Sequence, residues 1–242
     1  MRTELSPNER AKYLCAEKAA EFVSSGMKVG LGTGSTAYWL LKHLGRKVRD
    51  GGLNIMGVPT SLKTSELAQS EGIPICSLDE AGWLDLTIDG ADEISPDFNL
   101  IKGGGGAHLR EKIVAMASDK MIVIADSSKK VAELGSFPLP VEVIRYGSES
   151  TKSQVVKYLT QSGYKDPRVM FRESKGKRFI TDEGNFLLDL QLNFISDECT
   201  LSNDLNLIPG VVENGLFVNI CKCVVVADEN GQVTVDWKKN ED

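Results

Sequence analysis

Short apolar runs and amphipathic segments alternate along the first half of the chain. The apolar runs, each typical of a buried strand, cover residues 27–31, 54–58, 73–76, 84–89 and 121–126. The first amphipathic segment starts at a capping pattern of Ser6, Pro7 and Glu9 and runs to about Ser24, and a later one starts at Thr60. Strands that alternate with helices form a largely parallel sheet with helices on its faces. The pattern therefore predicts a Rossmann-like α/β fold.

The pattern changes at Phe137–Pro140. After one more apolar run, a helix is predicted from about Ser150 to Gly163. The segments that follow alternate in polarity and are separated by turns at 175–177 and 182–185. Such spacing is typical of antiparallel strands that are joined by hairpins.

A further short helix around residues 198–206 completes this second region. We predict that residues 137–207 form a smaller inserted α+β domain of the ferredoxin-like kind, which covers the site or makes an oligomer contact. Residues 1–136 together with 208–242 are then predicted to form the catalytic α/β domain.

Composition and charge exclude several classes of protein. The 242 residues are 41% hydrophobic and 26% charged, as in ordinary globular domains. The net charge of −6 is interspersed along the chain, which argues against nucleic-acid binding, because that usually needs a basic patch. No apolar run reaches the length of a membrane span, and the first residues lack the apolar core of a signal peptide. We therefore expect a cytoplasmic protein with no membrane and no nucleic-acid partner.

The cysteines do not form a recognisable metal or disulfide pattern. They are Cys15, Cys76, Cys199, Cys221 and Cys223. Their number is odd and their spacing differs from that of zinc sites. We predict buried thiols in a reducing cytosol.

The loop Gly32–Thr36 follows a predicted strand and precedes a helix. Free backbone N–H groups at a helix start point outward, and the helix dipole favours negative charge. The hydroxyls of Thr33, Ser35 and Thr36 would add donors. The loop lacks the lysine of a Walker A motif, and Ala37 takes the place of the last glycine of GxGxxG. We predict phosphate binding here, and the alternative is an ordinary helix cap.

A second polar stretch, Asp89–Lys112, contains the carboxylates of Asp89, Asp92 and Glu111, together with Lys102 and four consecutive glycines. Glycine lets backbone N–H groups approach a ligand closely. This set suits proton transfer next to a carbonyl, in which a carboxylate moves the proton while a lysine and N–H groups stabilise the enediolate oxygen. The alternatives are a charged surface loop, or a Mg²⁺ site at the two aspartates with which the lysine would compete.

A third predicted strand end carries Ser127, Ser128 and Lys129. Lys129 is the candidate phosphate partner, Lys130 competes with it, and either could be solvated. Lys12 on the first helix could also reach an anionic ligand, although a solvated side chain is the simpler interpretation. Because ligands lie at the carboxyl ends of parallel strands, we expect the polar loops to meet at one edge of the sheet.

Four of these segments occur as motifs in a specific order along the chain. They are GLGTGSTA at Gly30–Ala37, DGADE at Asp89–Glu93, KGGGGAHLREK at Lys102–Lys112 and ADSSK at Ala125–Lys129. Together they resemble ribose-5-phosphate isomerase of the A type, and the similarity extends over most of the chain. The resemblance implies interconversion of D-ribose 5-phosphate and D-ribulose 5-phosphate, a step of the pentose phosphate pathway, through a cis-enediolate and without a metal or organic cofactor. The predicted insert suggests a homodimer or homotetramer.

The resemblance also implies a role for each matching residue. Glu111 would be the general base between C2 and C1, and Asp89 would assist opening of the sugar ring. Asp92 would lie near the substrate hydroxyls, and Lys102 with the following glycines would hold the oxyanion. His108 receives no role. The residues that the resemblance implies for substrate binding are Thr33, Gly34, Ser35, Thr36, Asp89, Gly90, Ala91, Asp92, Lys102, Gly103, Gly104, Gly105 and Lys129.

Two other classes of function remain open at this point. An acyl-CoA transferase or an amino-sugar phosphate deaminase could use a similar α/β scaffold, and such a transferase would form a covalent thioester on a glutamate. A sugar-phosphate sensor would bind without turnover, but it would normally carry a DNA-binding module, and the chain shows no basic helix-turn-helix.

Overall fold

The computed structural model describes residues 5–239. The α-helices are α1 Pro7–Ala19, α2 Ser35–Gly51, α3 Leu62–Ser70, α4 Leu78–Ala81, α5 His108–Met116, α6 Ser148–Gln161 and α7 Glu198–Asn206. The strands are β1 Lys28–Leu31, β2 Met56–Pro59, β3 Leu86–Asp89, β4 Glu93–Ile94, β5 Leu100–Ile101, β6 Met121–Asp126, β7 Leu139–Val143, β8 Arg168–Phe171, β9 Glu173–Ser174, β10 Lys177–Arg178, β11 Phe186–Gln191, β12 Val211–Asn214, β13 Leu216–Phe217, β14 Cys221–Ala227 and β15 Val233–Trp237. The 3₁₀ segments Ala20–Phe22 and Ser127–Lys129 follow α1 and β6.

The chain forms two compact units. Of the described residues, the first unit comprises 5–91, Arg110–Lys130 and 219–239. The second unit comprises Asp92–Leu109 and Val131–Val218. The sequence-based division placed residues 92–109, 131–136 and 208–218 with the first domain instead. The assignment of one domain to catalysis and the other to covering the site or to oligomer contacts stays a prediction.

The first unit is built on a six-stranded sheet of order β15-β14-β6-β3-β1-β2. Neighbouring strands are parallel, except that β15 runs antiparallel to β14. From β1 the chain adds β2 on one side and β3 on the other. The topological switch point therefore lies between β1 and β3, which is where open α/β sheets bind ligands. This sheet confirms the predicted Rossmann-like architecture.

The central strands of this sheet are buried along their whole length. Every residue of β3 and β6 is buried, as expected for parallel strands covered on both faces. The small side chains of Ala16 and Ala19 on α1 and the larger Leu40 and Leu44 on α2 belong to the same hydrophobic core. Burial of this apolar surface is the main force that holds the strand ends, and hence the polar loops, in place.

Two local predictions for the first unit need correction. The predicted strand at residues 73–76 is wrong, because Ile75 forms an isolated bridge with Gly57 and Pro74 has no N–H with which to extend a ladder. The helix predicted to start at Thr60 has Ser61 as its N-cap, and the Ser61 hydroxyl accepts a hydrogen bond from the Thr64 N–H at 3.0 Å.

The second unit contains a four-stranded antiparallel sheet of order β12-β7-β11-β8. With α6 and α7, its chain order β7-α6-β8-β11-α7-β12 is the ferredoxin-like βαββαβ arrangement, as predicted. Both helices contribute to the core of this unit, α6 through Val155 and Leu159 and α7 through Leu201 and Leu205. The predicted insert ended at residue 207 and omitted β12, whose short sequence VVEN has no clear strand signal. Helix α6 starts at Ser148, after Gly147, rather than near Ser150.

The cysteines are free thiols, and three of them are buried: Cys15, Cys221 and Cys223. Burial raises the pKa of Cys15 and of Cys221 to about 12. The expectation that all five are buried is wrong for Cys199, which is exposed on α7, and for Cys76, which is only partly buried. Within residues 5–239, no helix combines the length and the apolar character that a membrane crossing requires.

Candidate active site

In the first unit, Asp89 ends β3 at the switch point beside β1. One carboxylate oxygen, Oδ1, accepts hydrogen bonds from the Thr33 N–H at 3.0 Å and the Gly90 N–H at 2.7 Å. A Cβ added to Gly32 would lie 2.2 Å from that oxygen and 2.5 Å from the Asp89 Cα. Glycine at residue 32 therefore lets the two strand ends meet, and the Asp89 carboxylate is fixed by backbone donors. The side chain is fully buried.

The loop after β1 leads directly into α2. Its N-cap is Gly34, with φ +120°, which has no side chain that could cap the helix. The first-turn N–H groups of a helix lack intrahelical partners and carry positive partial charge. Since Gly34 and Ser35 are exposed, this helix start can bind an anion, and the alternative of an ordinary side-chain cap does not describe it.

The Thr33 hydroxyl has a different environment from the one that the sequence suggested. Its Oγ1 lies 2.8 Å from the Thr60 hydroxyl, 2.9 Å from that of Ser61 and 3.0 Å from that of Thr64. These three residues follow β2 at the same edge of the sheet. The hydroxyl therefore ties two neighbouring loops together. A Ser61-x-x-Thr64 capping pattern is present in the sequence, but the helix was predicted to start at Thr60, and no local pattern links these residues to Thr33.

A cavity of about 260 Å³ opens at this helix start. Its lining includes Glu9, Gly32, Thr33, Gly34, Ser35, Tyr38, Lys63 and Thr64. Lys12 donates to the Glu9 carboxylate at 2.8 Å, and this contact is the main cause that lowers the pKa of Glu9. Lys12 thus already has an anionic partner, whereas the exposed Lys63 is a cation at the cavity that the sequence did not single out.

The two lysines after β6 differ in their contacts. Lys130 donates to the Asp236 carboxylate at 3.0 Å on the exposed surface. Lys129 ends the 3₁₀ segment at the carboxyl end of β6 and is half-buried. Of these two candidates, Lys129 is therefore the better placed for a ligand at the sheet edge.

In the second unit, β5 carries the chain into the stretch Lys102–Gly106, called the glycine loop below. Lys102 is only 2% exposed, and its Nζ lies 5.4 Å from the centre of the Phe217 ring. A Cβ on Gly103 would meet His108 at 2.8 Å, and one on Gly106 would meet the Phe179 ring at 2.6 Å. Both glycines have positive φ, +100° and +80°. The loop is thus tightly packed at both ends and requires glycine there.

Side chains hold the middle of the glycine loop. Asp92 accepts a hydrogen bond from the Gly104 N–H at 2.7 Å through Oδ2. Arg172 donates to the carbonyl oxygens of Gly103 and Gly104 at 2.8 and 3.0 Å. The sequence had pointed to Asp92 but not to Arg172. The neighbouring Glu93 of the DGADE motif is buried and accepts from the Gly135 and Phe137 N–H groups, so it serves the fold.

Glu111 is the fourth residue of α5 and is 4% exposed. The ring of His108, at the start of the same helix, is fully buried, with Nε2 3.2 Å from the Glu213 carbonyl oxygen. The candidate residues therefore form two groups. In the first unit Thr33, Asp89 and Gly90 are in contact, and in the second unit Asp92 contacts Gly104. Among residues 5–239, no cluster of three His, Cys, Asp or Glu side chains could hold a metal ion.

Comparison with known proteins identifies the family. The family described as "Ribose 5-phosphate isomerase A (phosphoriboisomerase A)" matches residues 56–231. Ribose-5-phosphate isomerase A of Cereibacter sphaeroides is 54% identical over 235 residues, which covers 97% of this chain and 94% of the relative. That of Ruegeria sp. is 54% identical over 235 residues, covering 97% of this chain and 90% of the relative.

Solved structures agree with these relatives. Ribose 5-phosphate isomerase from Plasmodium falciparum matches with a TM-score of 0.91 and 35% identity, covering 96% of this chain and 100% of that one. A D-ribose-5-phosphate isomerase in complex with phospho-erythronic acid matches with a TM-score of 0.88 and 37% identity, covering 95% and 99%. The resemblance that the motifs suggested is therefore confirmed, and the chain belongs to the ribose 5-phosphate isomerase A family.

Proposed function

We propose that this chain interconverts D-ribose 5-phosphate and D-ribulose 5-phosphate through a metal-free enediolate, with Glu111 as the general base, in the non-oxidative pentose phosphate pathway. The observation that carries the proposal is the 54% identity to ribose-5-phosphate isomerases A over nearly the whole chain. As a member of this family the chain is an aldose–ketose isomerase. The mechanism and the role of each residue are our proposal.

The reaction moves one proton between two neighbouring carbons. A base removes the proton from C2 of the open aldose while the C1 carbonyl oxygen becomes negatively charged. Transfer of the hydroxyl proton from O2 to O1 and return of the carbon-bound proton to C1 then produce the ketose. The Glu111 carboxylate is suited to this task because it is 4% exposed on a regular helix. Little surrounding water would then compete for the proton, and the helix fixes its direction. A positioned base contributes roughly 10²–10⁴-fold to such a rate.

The negative charge of the enediolate needs donors that are in place before it forms. Lys102 is nearly fully buried, and the N–H groups of the glycine loop follow it directly. Fixed donors in a site that excludes water stabilise developing charge far more strongly than water does. We assign the enediolate oxygen to Lys102, Gly103, Gly104 and Gly105.

The two aspartates handle protons on oxygen. Asp89, oriented by the Thr33 and Gly90 N–H groups, is assigned to opening of the furanose ring. Asp92 is assigned to the substrate hydroxyls near the glycine loop, whose Gly104 N–H it accepts. The intervening Gly90 and Ala91 present backbone to the substrate.

The phosphate group is assigned to the start of α2, from Thr33 to Thr36, and to Lys129. The support is the uncapped helix start, which favours an anion, and the half-buried lysine at the carboxyl end of β6. Lys12 is already paired with Glu9, so we give it no primary role. Assembly as a homodimer or homotetramer and a cytoplasmic location remain predictions from the sequence.

Proton exchange tests the proposal directly. Ribose 5-phosphate is incubated with the protein in D₂O, with and without EDTA, and followed by NMR. We expect deuterium at C2 and the appearance of ribulose 5-phosphate at rates that EDTA leaves unchanged. Loss of both with EDTA would contradict the metal-free mechanism. Binding with neither exchange nor product would favour a sensor, and a covalent thioester trapped with an acyl-CoA would favour a transferase.

A further inference from the structure

Arg172 joins the glycine loop to a distant part of the second unit. It follows β8, and its Nη1 donates to the carbonyl oxygens of Gly103 and Gly104 at 2.8 and 3.0 Å. Its Nε and Nη2 donate to the two carboxylate oxygens of Asp189 on β11, at 2.9 and 2.5 Å. The side chains of Arg172 and Asp189 are 15% and 21% exposed. A single guanidinium thus connects one carboxylate to two consecutive loop carbonyls.

Peptide planarity turns these contacts into control of N–H direction. In a trans peptide the carbonyl and the following N–H point to opposite sides. The Gly103 carbonyl faces Arg172, so the Gly104 N–H points the other way, where it meets Asp92 at 2.7 Å. The Gly104 carbonyl also faces Arg172, so the Gly105 N–H is likewise directed away from the guanidinium.

We propose that Arg172 is a positioning residue, and that with Asp189 it holds two peptides of the glycine loop so that the Gly104 N–H stays on Asp92 and the Gly105 N–H is presented to the enediolate. This inference rests on the isomerase function proposed above and adds residues outside the four sequence motifs. Arg172 does not touch the substrate. It acts through two peptide groups, whose rotation would turn oxyanion donors into oxyanion-repelling carbonyls.

The chemistry of the pair suits this task. A planar guanidinium has five N–H donors in a fixed fork, so it can bind a carboxylate with one edge and carbonyls with another. A lysine ammonium cannot reproduce both sets of contacts at once. Asp189 lies in the register of β11 opposite Met170 of β8, and the adjacent Arg172 N–H donates to the Leu187 carbonyl oxygen at 2.8 Å. The sheet itself therefore sets the position of the guanidinium.

Four variants of the full chain test the inference. Arg172→Met removes the guanidinium with similar bulk, Arg172→Lys keeps the charge, and Asp189→Asn leaves Arg172 but weakens its orientation. The matched control is Arg178→Lys in the same unit, because Arg178 binds Glu149 and stacks on Phe171 at 3.7 Å. Each is measured for kcat and KM with ribose 5-phosphate, for thermal midpoint, and for inhibition by phospho-erythronic acid and by inorganic phosphate.

The measurements compare stabilisation of the enediolate charge, which exists only during the reaction, with binding of the phosphate charge, which the substrate already carries. Losing one oxyanion donor reduces kcat by about 10²–10³-fold, so both Arg172 variants should lose roughly 10²-fold and Asp189→Asn less. Inhibition by phospho-erythronic acid, whose planar carboxylate resembles the enediolate, should weaken in parallel with kcat. KM and inhibition by inorganic phosphate should change less than about threefold, since a misdirected N–H is felt mainly in the transition state. Arg178→Lys should change none of these quantities.

Two results would overturn the inference. One is a folded Arg172→Met protein with kcat within threefold of the unmodified chain. The other is equal weakening of phosphate and phospho-erythronic acid, which would indicate a general structural loss. If Arg172→Met does not fold, Asp189→Asn decides in the same way. Failure of the unmodified chain to isomerise ribose 5-phosphate would instead overturn the proposed function, so the two failures are distinguishable.

Discussion

The molecule contains two glycine-rich loops that present backbone N–H groups, and they are held in different ways. The loop Gly32–Ser35 is fixed by its neighbours in the fold, namely the end of β3, the hydroxyls after β2 and the helix that it starts. The glycine loop is fixed by side chains, with Asp92 on one side of a peptide and Arg172 on the other. In the first loop a helix orients the N–H groups, and in the second loop side chains do so.

The difference matches the charge that each loop is proposed to bind. A phosphate has the same charge in substrate, transition state and product, so a helix start that binds it contributes uniform binding. The enediolate charge exists only during the reaction, and interactions with it raise kcat. The contrast therefore predicts that changes in the first loop act mainly on KM or stability, and that changes around the glycine loop act mainly on kcat.

The largest loss of turnover is expected from Glu111→Gln, because Glu111 is the proposed base that removes the C2 proton to form the enediolate. Turnover should fall about 10²–10⁴-fold, while KM changes little because the phosphate site is untouched. Steady-state rates of ribulose 5-phosphate formation measure both quantities. Glu66→Gln is the control, because Glu66 is exposed on α3, and this variant should behave like the unmodified chain. Near-normal turnover in the Glu111 variant would mean that another group is the base.

The next prediction compares alanine substitutions of one glycine in each loop, Gly32 and Gly104, in their effects on stability and turnover. An alanine Cβ at Gly32 would lie 2.5 Å from the Asp89 backbone, whereas at Gly104 it would lie 2.6 Å from a carboxylate oxygen of Asp92. Backbone cannot move aside, so Gly32→Ala should lose about 1–3 kcal/mol of unfolding free energy. The Asp92 side chain can rotate, so Gly104→Ala should stay close to the unmodified stability and lose turnover. Urea unfolding and steady-state kinetics measure these changes.

Gly51→Ala is the matched control for both glycine variants. Gly51 is the last residue of α2, and nothing lies within 4 Å of a Cβ placed there. Alanine is a better helix former than glycine by up to about 1 kcal/mol, so this variant should be neutral or slightly stabilised. A Gly104→Ala protein as unstable as Gly32→Ala would contradict the view that a movable side chain holds the glycine loop.

The two loops also differ in how well the sequence predicts them, because one is held by the strand and helix next to it and the other by side chains distant in sequence. Gly32–Ser35 is recognisable because a strand, a glycine and a helix start occur consecutively, and such local order specifies the N–H directions. The glycine loop was found as a motif, but its support was not. Arg172 is 69 residues from Gly103, and an arginine in an alternating strand usually indicates an exposed face. Its role depends on the register of β8 and β11, which no local pattern contains.

Prediction of the fold has the same limit, because a local sequence pattern does not reveal which distant segments pair. Elements with a clear periodic pattern, such as α2 and β6, are predicted from their own residues, because their burial pattern is local. The strand β12 is not, because only Asn214 of its four residues is buried and its strand character comes from pairing with β7. The hydroxyl contacts of Thr33 likewise depend on β2 lying beside β1.

An effect of comparable size, on substrate binding, is expected from Lys129→Ala. Hydrogen bonds to charged groups contribute about 1.5–3 kcal/mol, so KM should rise roughly 10–100-fold with little change in kcat, and inhibition by inorganic phosphate should weaken equally. Lys130→Ala is the control, because Lys130 pairs with Asp236 on the surface, and exposed ion pairs contribute little. If the Lys129 variant loses turnover and keeps its affinity for phosphate, the division between binding and catalysis is wrong.

The smallest effect is expected from Thr33→Val, and it tests which of two roles the Thr33 hydroxyl has. If the hydroxyl only ties its loop to Thr60, Ser61 and Thr64, then Thr33→Val should lose about 1 kcal/mol of unfolding free energy and raise KM only slightly. The loss is modest because Thr60 and Thr64 keep their bonds to the Leu31 and Gly32 carbonyl oxygens. If the hydroxyl instead binds phosphate, KM should rise as in Lys129→Ala with stability unchanged. Thr33→Ser keeps the hydroxyl, so in either case it should restore the property that Thr33→Val lost, as measured by urea unfolding and steady-state kinetics.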